Sequence, residues 1–311
     1  METIGIDVGG TKVLGVTIDP ARPMDVRVEQ RVPTPDGGTG LVDTLLALAD
    51  ELASPGAAVG VGVPGLVDRR GTLHMGPHLR RLHDVALAEL LFERSGRPTV
   101  VDNDANCHAV AEQVGGAARG YDEALVVTLG TGIGAGIITG GHLLRGANGF
   151  AGEPGHMVVD PNGPPCPCGK RGCWERFASG TGLGRLGRDA AEGGRLDASV
   201  ELAGGDPEAV RGEHVTAAAR VGDAEALVVL GQFAHWIALG LANLVNVLDP
   251  AVIVIGGGLV EAADLLLPEV QSRFAGLVMA GERRPVVPIV AAALGERAGA
   301  IGAAILAARV R

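Results

Sequence analysis

Aromatic side chains are scarce in this sequence of 311 residues: two Trp, one Tyr and five Phe, 3% in all. With so few rings, a large core has to be built from Val, Leu, Ile and Ala, the composition of buried parallel strands and closely packed helices, and an α/β class follows. A basic block is missing as well. The net charge is −10, which argues against nucleic acid or an anionic membrane as partner and obliges any phosphate-bearing ligand to find local donors. No run reaches about eighteen uninterrupted apolar residues, the least that suggests a membrane span. The chain runs directly into Ile4-Gly5-Ile6-Asp7, with no basic n-region or apolar h-region, so no signal peptide and a cytoplasmic location are expected. Cysteine numbers only four, and without a secretory signal disulfides are not expected.

What the sequence has in plenty is hydrophobic residues, 47%, and glycine, 50 residues. The first excludes a disordered chain and, with the length, suggests about two domains. The second is roughly double the usual share and clusters after β-like runs, which points to binding loops lined by backbone.

Three of the four cysteines lie in Cys166-Pro167-Cys168-Gly169-Lys170-Arg171-Gly172-Cys173-Trp174-Glu175, which begins ten residues after the end of Glu153-Pro154-Gly155-His156. Zinc takes four tetrahedral ligands from thiolate and imidazole, and a site with no protein ligand missing is normally structural. Cys166, Cys168 and Cys173 with His156 make such a set. Pro165, Pro167, Gly169 and Gly172 supply the turns of a tight metal knuckle. The other reading is buried or redox-active thiols. Glu153 and Glu175 flank the ligands and are left to accept hydrogen bonds from a polyol, the outline of a sugar pocket.

Two stretches share one pattern. Residues 3–8 read as a buried strand, then Asp7-Val8-Gly9-Gly10-Thr11-Lys12 turns into a second strand over 13–18. Residues 124–128 are again an apolar strand, followed by Leu129-Gly130-Thr131-Gly132-Ile133-Gly134-Ala135-Gly136 and a strand over 137–139. Adjacent glycines let backbone N–H groups approach a phosphate, Thr11 adds a hydroxyl, Lys12 a charge, and Asp7 can hold Mg²⁺ through water. Neither loop is a Walker P-loop, which ends in G-K-[ST], nor a Rossmann fingerprint, which a helix follows. An ordinary Gly-Gly turn is the plain alternative for one copy; the repetition favours a duplicated fold with two phosphate loops.

Helical spacing covers 41–52, and a strand over 59–63 ends in Pro64-Gly65. A strand over 98–101 leads into Asp102-Asn103-Asp104-Ala105-Asn106 and a helix over 105–114. Asn103 and Asp104 thus stand at the carboxyl end of a strand, where α/β sheets bind ligands. Asp104 is either a base there or a helix cap. Helices are expected over 182–191, 215–221 and 225–248, a strand over 252–255 leading to Gly256-Gly257-Gly258, a helix over 265–274, a strand over 286–291 and an Ala-rich helix over 296–308. The triple glycine suits either an approaching adenosine or a simple tight turn.

Taken together, D-V-G-G-T-K at 7–12, V-P-G-x-V-D at 63–68, D-N-D-A-N at 102–106, L-G-T-G-I-G-A-G at 129–136, E-P-G-H at 153–156, C-P-C-G-K-R-G-C-W-E at 166–175 and I-G-G-G at 255–258 resemble the ROK family of repressors, open-reading-frame proteins and kinases, and within it the bacterial glucokinases. The resemblance implies the actin-like ATPase (ribonuclease H-like) fold, two α/β domains around a cleft. Residues 1–117 with 298–311 would form the smaller domain and 118–297 the larger. It implies ATP, Mg²⁺ and structural Zn²⁺ as cofactors, with Gly9, Gly10, Thr11, Lys12, Gly130, Thr131, Gly132 and Gly256 to Gly258 around the nucleotide. Asp104 would take the proton from the 6-hydroxyl of glucose, and Gly65, Asn103, Glu153, His156 and Glu175 would hold the sugar. In such chemistry the protein positions, neutralises charge and accepts a proton. His78, in the loop bordering the sugar, stands where the family carries Asn, so fructose, mannose or an N-acylhexosamine are alternative acceptors; polyphosphate as donor would want a basic track that is not visible. A dimer or tetramer is implied. A sugar-sensing repressor of this family carries a helix-turn-helix before the first glycine loop, and with Asp7 so near the start that reading is not favoured.

Overall fold

The computed structural model of the chain describes residues 2–53, 55–76, 79 and 82–310; His78 lies outside the described residues. Thr3–Val8 (β1) sets Ile4, Ile6 and Val8 on one face and Thr3, Gly5 and Asp7 on the other and is buried nearly throughout, as a strand covered on both sides must be. Gly9, Gly10 and Thr11 turn it into Lys12–Asp19 (β2), which continues into Arg22–Pro33 (β3), an edge strand whose charged side chains hid it from hydrophobic patterning. Leu41–Leu52 (α1) and Ala58–Val63 (β4) follow as expected. Leu66–Val67 (β5) and Leu73–Met75 (β6) pair as a short hairpin before Leu87–Ser95 (α2), Thr99–Asn103 (β7) and Asp104–Gly115 (α3). The first sheet has the order β3-β2-β1-β4-β7, with β1 parallel to β4 and β4 parallel to β7. Its register sets Asp7 opposite Gly62 and Gly62 opposite Asp102, so one row across the carboxyl ends of three strands carries two carboxylates.

Next come Ala124–Leu129 (β8), Ile133–Thr139 (β9) and His142–Leu143 (β10). Here the expected loop over 129–136 is too long, because β9 starts at Ile133 and not at Ile137. Gly136 belongs to the strand because α3 packs against it: a Cβ there would run into Ala109 and stand 2.8 Å from the Ala105 carbonyl oxygen. The helices Glu175–Ala178 (α4), Gly180–Glu192 (α5), Asp197–Leu202 (α6), Gly212–Arg220 (α7) and Ala224–Leu248 (α8) lead to Val252–Gly256 (β11) and Ala263–Phe274 (α9). The last strand, Ile289–Ala291 (β12), is shorter than expected, since Pro285 and Pro288 have no N–H to give a ladder. Ala298–Ala307 (α10) ends the fold. The second sheet has the order β10-β9-β8-β11-β12.

Contacts divide the chain into two compact units: Met1–Val126 with Ala135–Gly152 and Ala292–Arg311, and Val127–Gly134 with Glu153–Ala291. In the first, α10 lies backbone to backbone on the sheet. A Cβ at Gly5 would strike the Ala300 carbonyl and one at Gly60 the Ala303 carbonyl, so the Ala-rich helix and the glycines of β1 and β4 are one packing device. In the second, α8 is the core helix, with Phe233, Ile237, Leu241 and Val245 fully buried one turn apart. It is the one described helix long and apolar enough to cross a membrane, and 67% of its most apolar 18-residue stretch is buried in the protein.

Candidate functional site

In the first unit the predicted residues gather at the carboxyl ends of β1, β4 and β7. Asp7, at the end of β1, is surrounded by protein: burial, and then the neighbouring Asp104 carboxylate, push its pKa up to about 8 against a smaller opposing pull from Lys12. The His108 Nε2 stands 4.0 Å from Asp7 Oδ2, and burial lowers the pKa of that imidazole. The turn after Asp7 is closed by the Gly9 N–H donating to the Lys12 carbonyl at 2.9 Å and braced by the Thr34 hydroxyl donating to the Gly9 carbonyl at 2.7 Å. Gly10 and Thr11 form its exposed tip. Lys12 is not a spare charge: its Nζ pairs with Glu296 Oε1 at 2.6 Å, a partner 284 residues away that no local pattern announces.

The strand-to-helix turn gives the cap of α3 to the neighbour of Asp104. Asn103 Oδ1 accepts the Asn106 N–H at 3.2 Å, the N-cap bond of α3, while Asn103 Nδ2 donates to the Gly65 carbonyl at 3.1 Å. Gly65 has φ 121°, which a side chain would resist. Asp104 is the first helical residue, and its Oδ1 accepts the Ala105 N–H at 2.9 Å. Asp102 takes a part in this turn that its motif does not reveal. Its carboxylate is buried, accepting from the Asn103 N–H and Asn106 Nδ2, both at 2.8 Å, and from Arg145 Nε at 2.8 Å and Nη2 at 2.7 Å. Arg145 is 43 positions further along, so only the fold could show the pair.

In the second unit His156, Cys166, Cys168 and Cys173 come together with all four candidate ligand atoms within 4.8 Å of one another. Cys168 Sγ and Cys173 Sγ are 3.6 Å apart, and Cys166 Sγ is 3.9 Å from His156 Nδ1. A tetrahedral zinc with Zn–S of about 2.3 Å sets such edges near about 3.8 Å, so the donors fit this ion in chemistry and spacing. Burial raises the Cys166 thiol and pushes Cys173 up to about 12, so these two would become thiolates only with a cation among them. Trp174 fixes the knuckle to α8. It is fully buried, its Nε1 donates to the Trp236 carbonyl at 2.7 Å, and its ring occupies the space that a Cβ on Gly240 would need.

Of the two carboxylates expected to be left for a polyol, Glu175 has one oxygen in use: Oε2 accepts the Ile133 N–H at 2.9 Å. That bond ties the metal knuckle to the second glycine loop. The Glu153 Oε2 is 4.0 Å from His156 Nε2, the ring nitrogen turned away from the cysteines. The loop itself is held from a second side, with the Gly180 N–H donating to the Gly130 carbonyl at 2.7 Å and the Thr181 hydroxyl to the Thr131 carbonyl at 2.8 Å. Gly256, Gly257 and Gly258 lie beside it. Gly257 has φ 84°, and a Cβ there would stand 2.5 Å from the Leu129 carbonyl oxygen, so the tight-turn explanation accounts for that glycine without a ligand.

This arrangement is a familiar one among known proteins. The model of the ROK family matches residues 3–310. The glucokinase of Streptomyces coelicolor is 39% identical over 311 residues, covering 98% of this chain and 97% of that protein. The glucokinase of Thermotoga maritima is 34% identical over 310 residues, covering 98% and 96%. Among solved structures, the ROK family glucokinase from Streptomyces griseus in complex with glucose and AMPPNP superimposes with a TM-score of 0.88 at 36% identity, covering 99% of this chain and 100% of that one. A family match that spans both glycine loops, the strand-to-helix turn and the cysteine knuckle, with relatives aligned over nearly their whole length, means that this chain belongs to the ROK family and has its actin-like ATPase fold.

Proposed function

We propose that this chain, an ATP-dependent hexose kinase, phosphorylates glucose at its 6-hydroxyl with Asp104 as the general base. The observation that carries the reading is the division of labour at the turn after β7. Asn103 caps α3, which spares Asp104 that role at the carboxyl end of a strand beside Asp7. A hydroxyl is a poor nucleophile at neutral pH, and a carboxylate placed to take its proton while the sugar is held is what transfer to it needs. Asn103, Gly65, Glu153, His156 and Glu175 are assigned to the sugar; the glycine loops at 9–12 and 130–132 and the glycines 256–258 are assigned to the nucleotide. The Streptomyces griseus relative, solved with glucose and AMPPNP, supports both ligands. Mg²⁺ accompanying ATP would neutralise phosphate charge, with Asp7 as its protein contact through water. Zinc, held by His156, Cys166, Cys168 and Cys173, would be structural.

A coupled assay with a panel of hexoses against ATP and polyphosphate tests the proposal. Glucose with ATP should give the highest kcat/KM; a preference of tenfold or more for fructose, mannose or an N-acylhexosamine, or for polyphosphate, would replace the substrate assigned here. A homodimer or tetramer belongs to the same proposal and is read by light scattering of the purified protein.

A further inference from the structure

The Asp102–Arg145 pair lies wholly within the first unit. Asp102 is the penultimate residue of β7, 6% exposed, with both carboxylate oxygens engaged. One oxygen takes the N–H of Asn103 and the side-chain amide of Asn106, the two residues on either side of Asp104 and Ala105. The other takes two N–H groups of the Arg145 guanidinium. A carboxylate held in this way has no freedom left, and it dictates the direction in which the chain leaves the strand and enters the helix. Arg145 is itself held in place: its carbonyl accepts the Ala151 N–H at 3.2 Å, and the next carbonyl, of Gly146, accepts from Arg69 Nε at 2.8 Å.

We propose that Arg145 is a positioning residue for phosphoryl transfer, acting through Asp102 to fix Asn103 and Asp104 at the start of α3. Without the guanidinium, Asp102 is a buried carboxylate lacking its counter-charge and is free to rotate away from the Asn103 N–H and the Asn106 amide. The turn then loosens where the base sits. A base displaced by about an ångström costs up to about a hundredfold in rate, and beyond Arg145 the hydrogen bonds of the Asp102 carboxylate go to Asn103 and Asn106, not to the loop at residues 9–12 assigned to the nucleotide. The role assigned to Arg145 rests on Asp104 being the base.

The test is a cycle of Arg145→Met, Asp102→Asn and the double variant, with Arg145→Lys beside them, read as kcat, as KM for glucose and for ATP, and as Tm. Arg145→Met is expected to lower kcat about 10- to 100-fold with the KM for ATP unchanged, Arg145→Lys to recover most of the loss, and the double variant to be no worse than twofold below Asp102→Asn alone. If Arg145→Met keeps kcat within twofold of wild type, or its effect multiplies with that of Asp102→Asn, the proposal is overturned. If Arg145→Met fails to fold, Arg145→Lys and Asp102→Asn decide: wild-type kcat in both overturns it, and a fall in kcat at unchanged Tm supports it. Asp104→Ala, assayed alongside, separates the two ideas, because full activity there removes the base, whereas an inactive Asp104→Ala with a fully active Arg145→Met removes only the role of Arg145.

Discussion

Replacing Cys168 with Ser should cost the protein its metal and, with it, its grip on the sugar, and the structure lets the size of that loss be worked out. Four donors within 4.8 Å of one another are placed to share one ion, and structural zinc supplies about 10 to 16 kcal/mol in apparent terms to small peptides. No single hydrogen bond of the segment 165–173 approaches that figure, so with zinc bound its order would depend on the ion. Two sugar contacts are assigned to side chains that the knuckle directs, His156 and Glu175. A neutral hydrogen bond from His156 is worth about 0.5–1.5 kcal/mol and a charged one to Glu175 about 1.5–3, together about 2–4.5, or roughly thirty- to two-thousandfold in glucose affinity. The nucleotide should be affected less. Glu175 Oε2 accepts from Ile133 N–H, so the second glycine loop loses one brace of about 1.5–3 kcal/mol while its two bonds from α5 remain; only part of that passes to ATP, no more than about tenfold. Metal analysis, with calorimetric titration of glucose and of an ATP analogue on wild type and variant, reads each quantity. Active wild-type enzyme free of zinc, or a zinc-free variant with wild-type glucose affinity, would refute the reasoning.

Asp104→Ala should lower kcat about 10² to 10⁴-fold, the usual loss for a positioned base, with glucose affinity by calorimetry nearly unchanged; turnover near wild type would return Asp104 to a structural part. Gly130→Val projects into open space, whereas a Cβ at Gly132 would stand 2.5 Å from Glu175 Oε2. Gly130→Val is therefore expected to weaken ATP alone and Gly132→Val to weaken ATP and glucose together, and equal effects of the two on glucose would contradict the geometry. His74 donates or accepts through Nδ1 at 2.6 Å from Asp84 and Nε2 at 3.4 Å from Asp68, and the Asp84 hydrogen bond leads the causes that raise its pKa above 6.5. A raised folded-state pKa means stability that is complete below about pH 6.5 and is lost as pH rises through the folded value. The Tm gap between wild type and His74→Gln should be widest near pH 6 and close towards pH 9; a gap that widens with pH would reverse the sign.

What could be read from residues alone was chemistry concentrated in short segments. Three cysteines and a histidine are donors of the kind that suits a metal, and two glycine-threonine turns between strands are of the kind that suits a phosphate. The long helix 224–248 and the strands at 3–8, 58–63 and 252–256 are mostly apolar, broken by few polar residues. The edge strand β3 escaped because its charges alternate irregularly, and the loop over 129–136 was drawn too long because glycine in a strand packed against a helix is indistinguishable by type from glycine in a turn. Lys12 with Glu296, Glu175 with Ile133 and Asp102 with Arg145 join residues that are 284, 42 and 43 positions apart, and no local pattern encodes such partners.

The turn after β7 shows most clearly what a motif leaves undecided. Asp102, Asn103 and Asp104 are three adjacent side chains of nearly one shape, each able to accept a backbone N–H, so residue type alone does not say which of them caps the helix or braces the turn, and only a carboxylate could serve as a base. The fold separates them by direction. Asp102 still belongs to the strand, where alternation turns its carboxylate into the protein toward Arg145 and Asn106. Asn103 has extended backbone with φ −63° and ψ 144°, the conformation an N-cap needs for its side chain to reach the N–H three residues on. Asp104 is the first residue with helical geometry, so its side chain leaves the axis at the positive end of α3, where a carboxylate is stabilised; the nearby Asp7, whose own carboxyl is pushed toward the protonated form, repels it less than a full charge would. A carboxylate in that place would suit the base proposed for Asp104, and its direction depends on Asn103 and Asp102 having taken the cap and the brace.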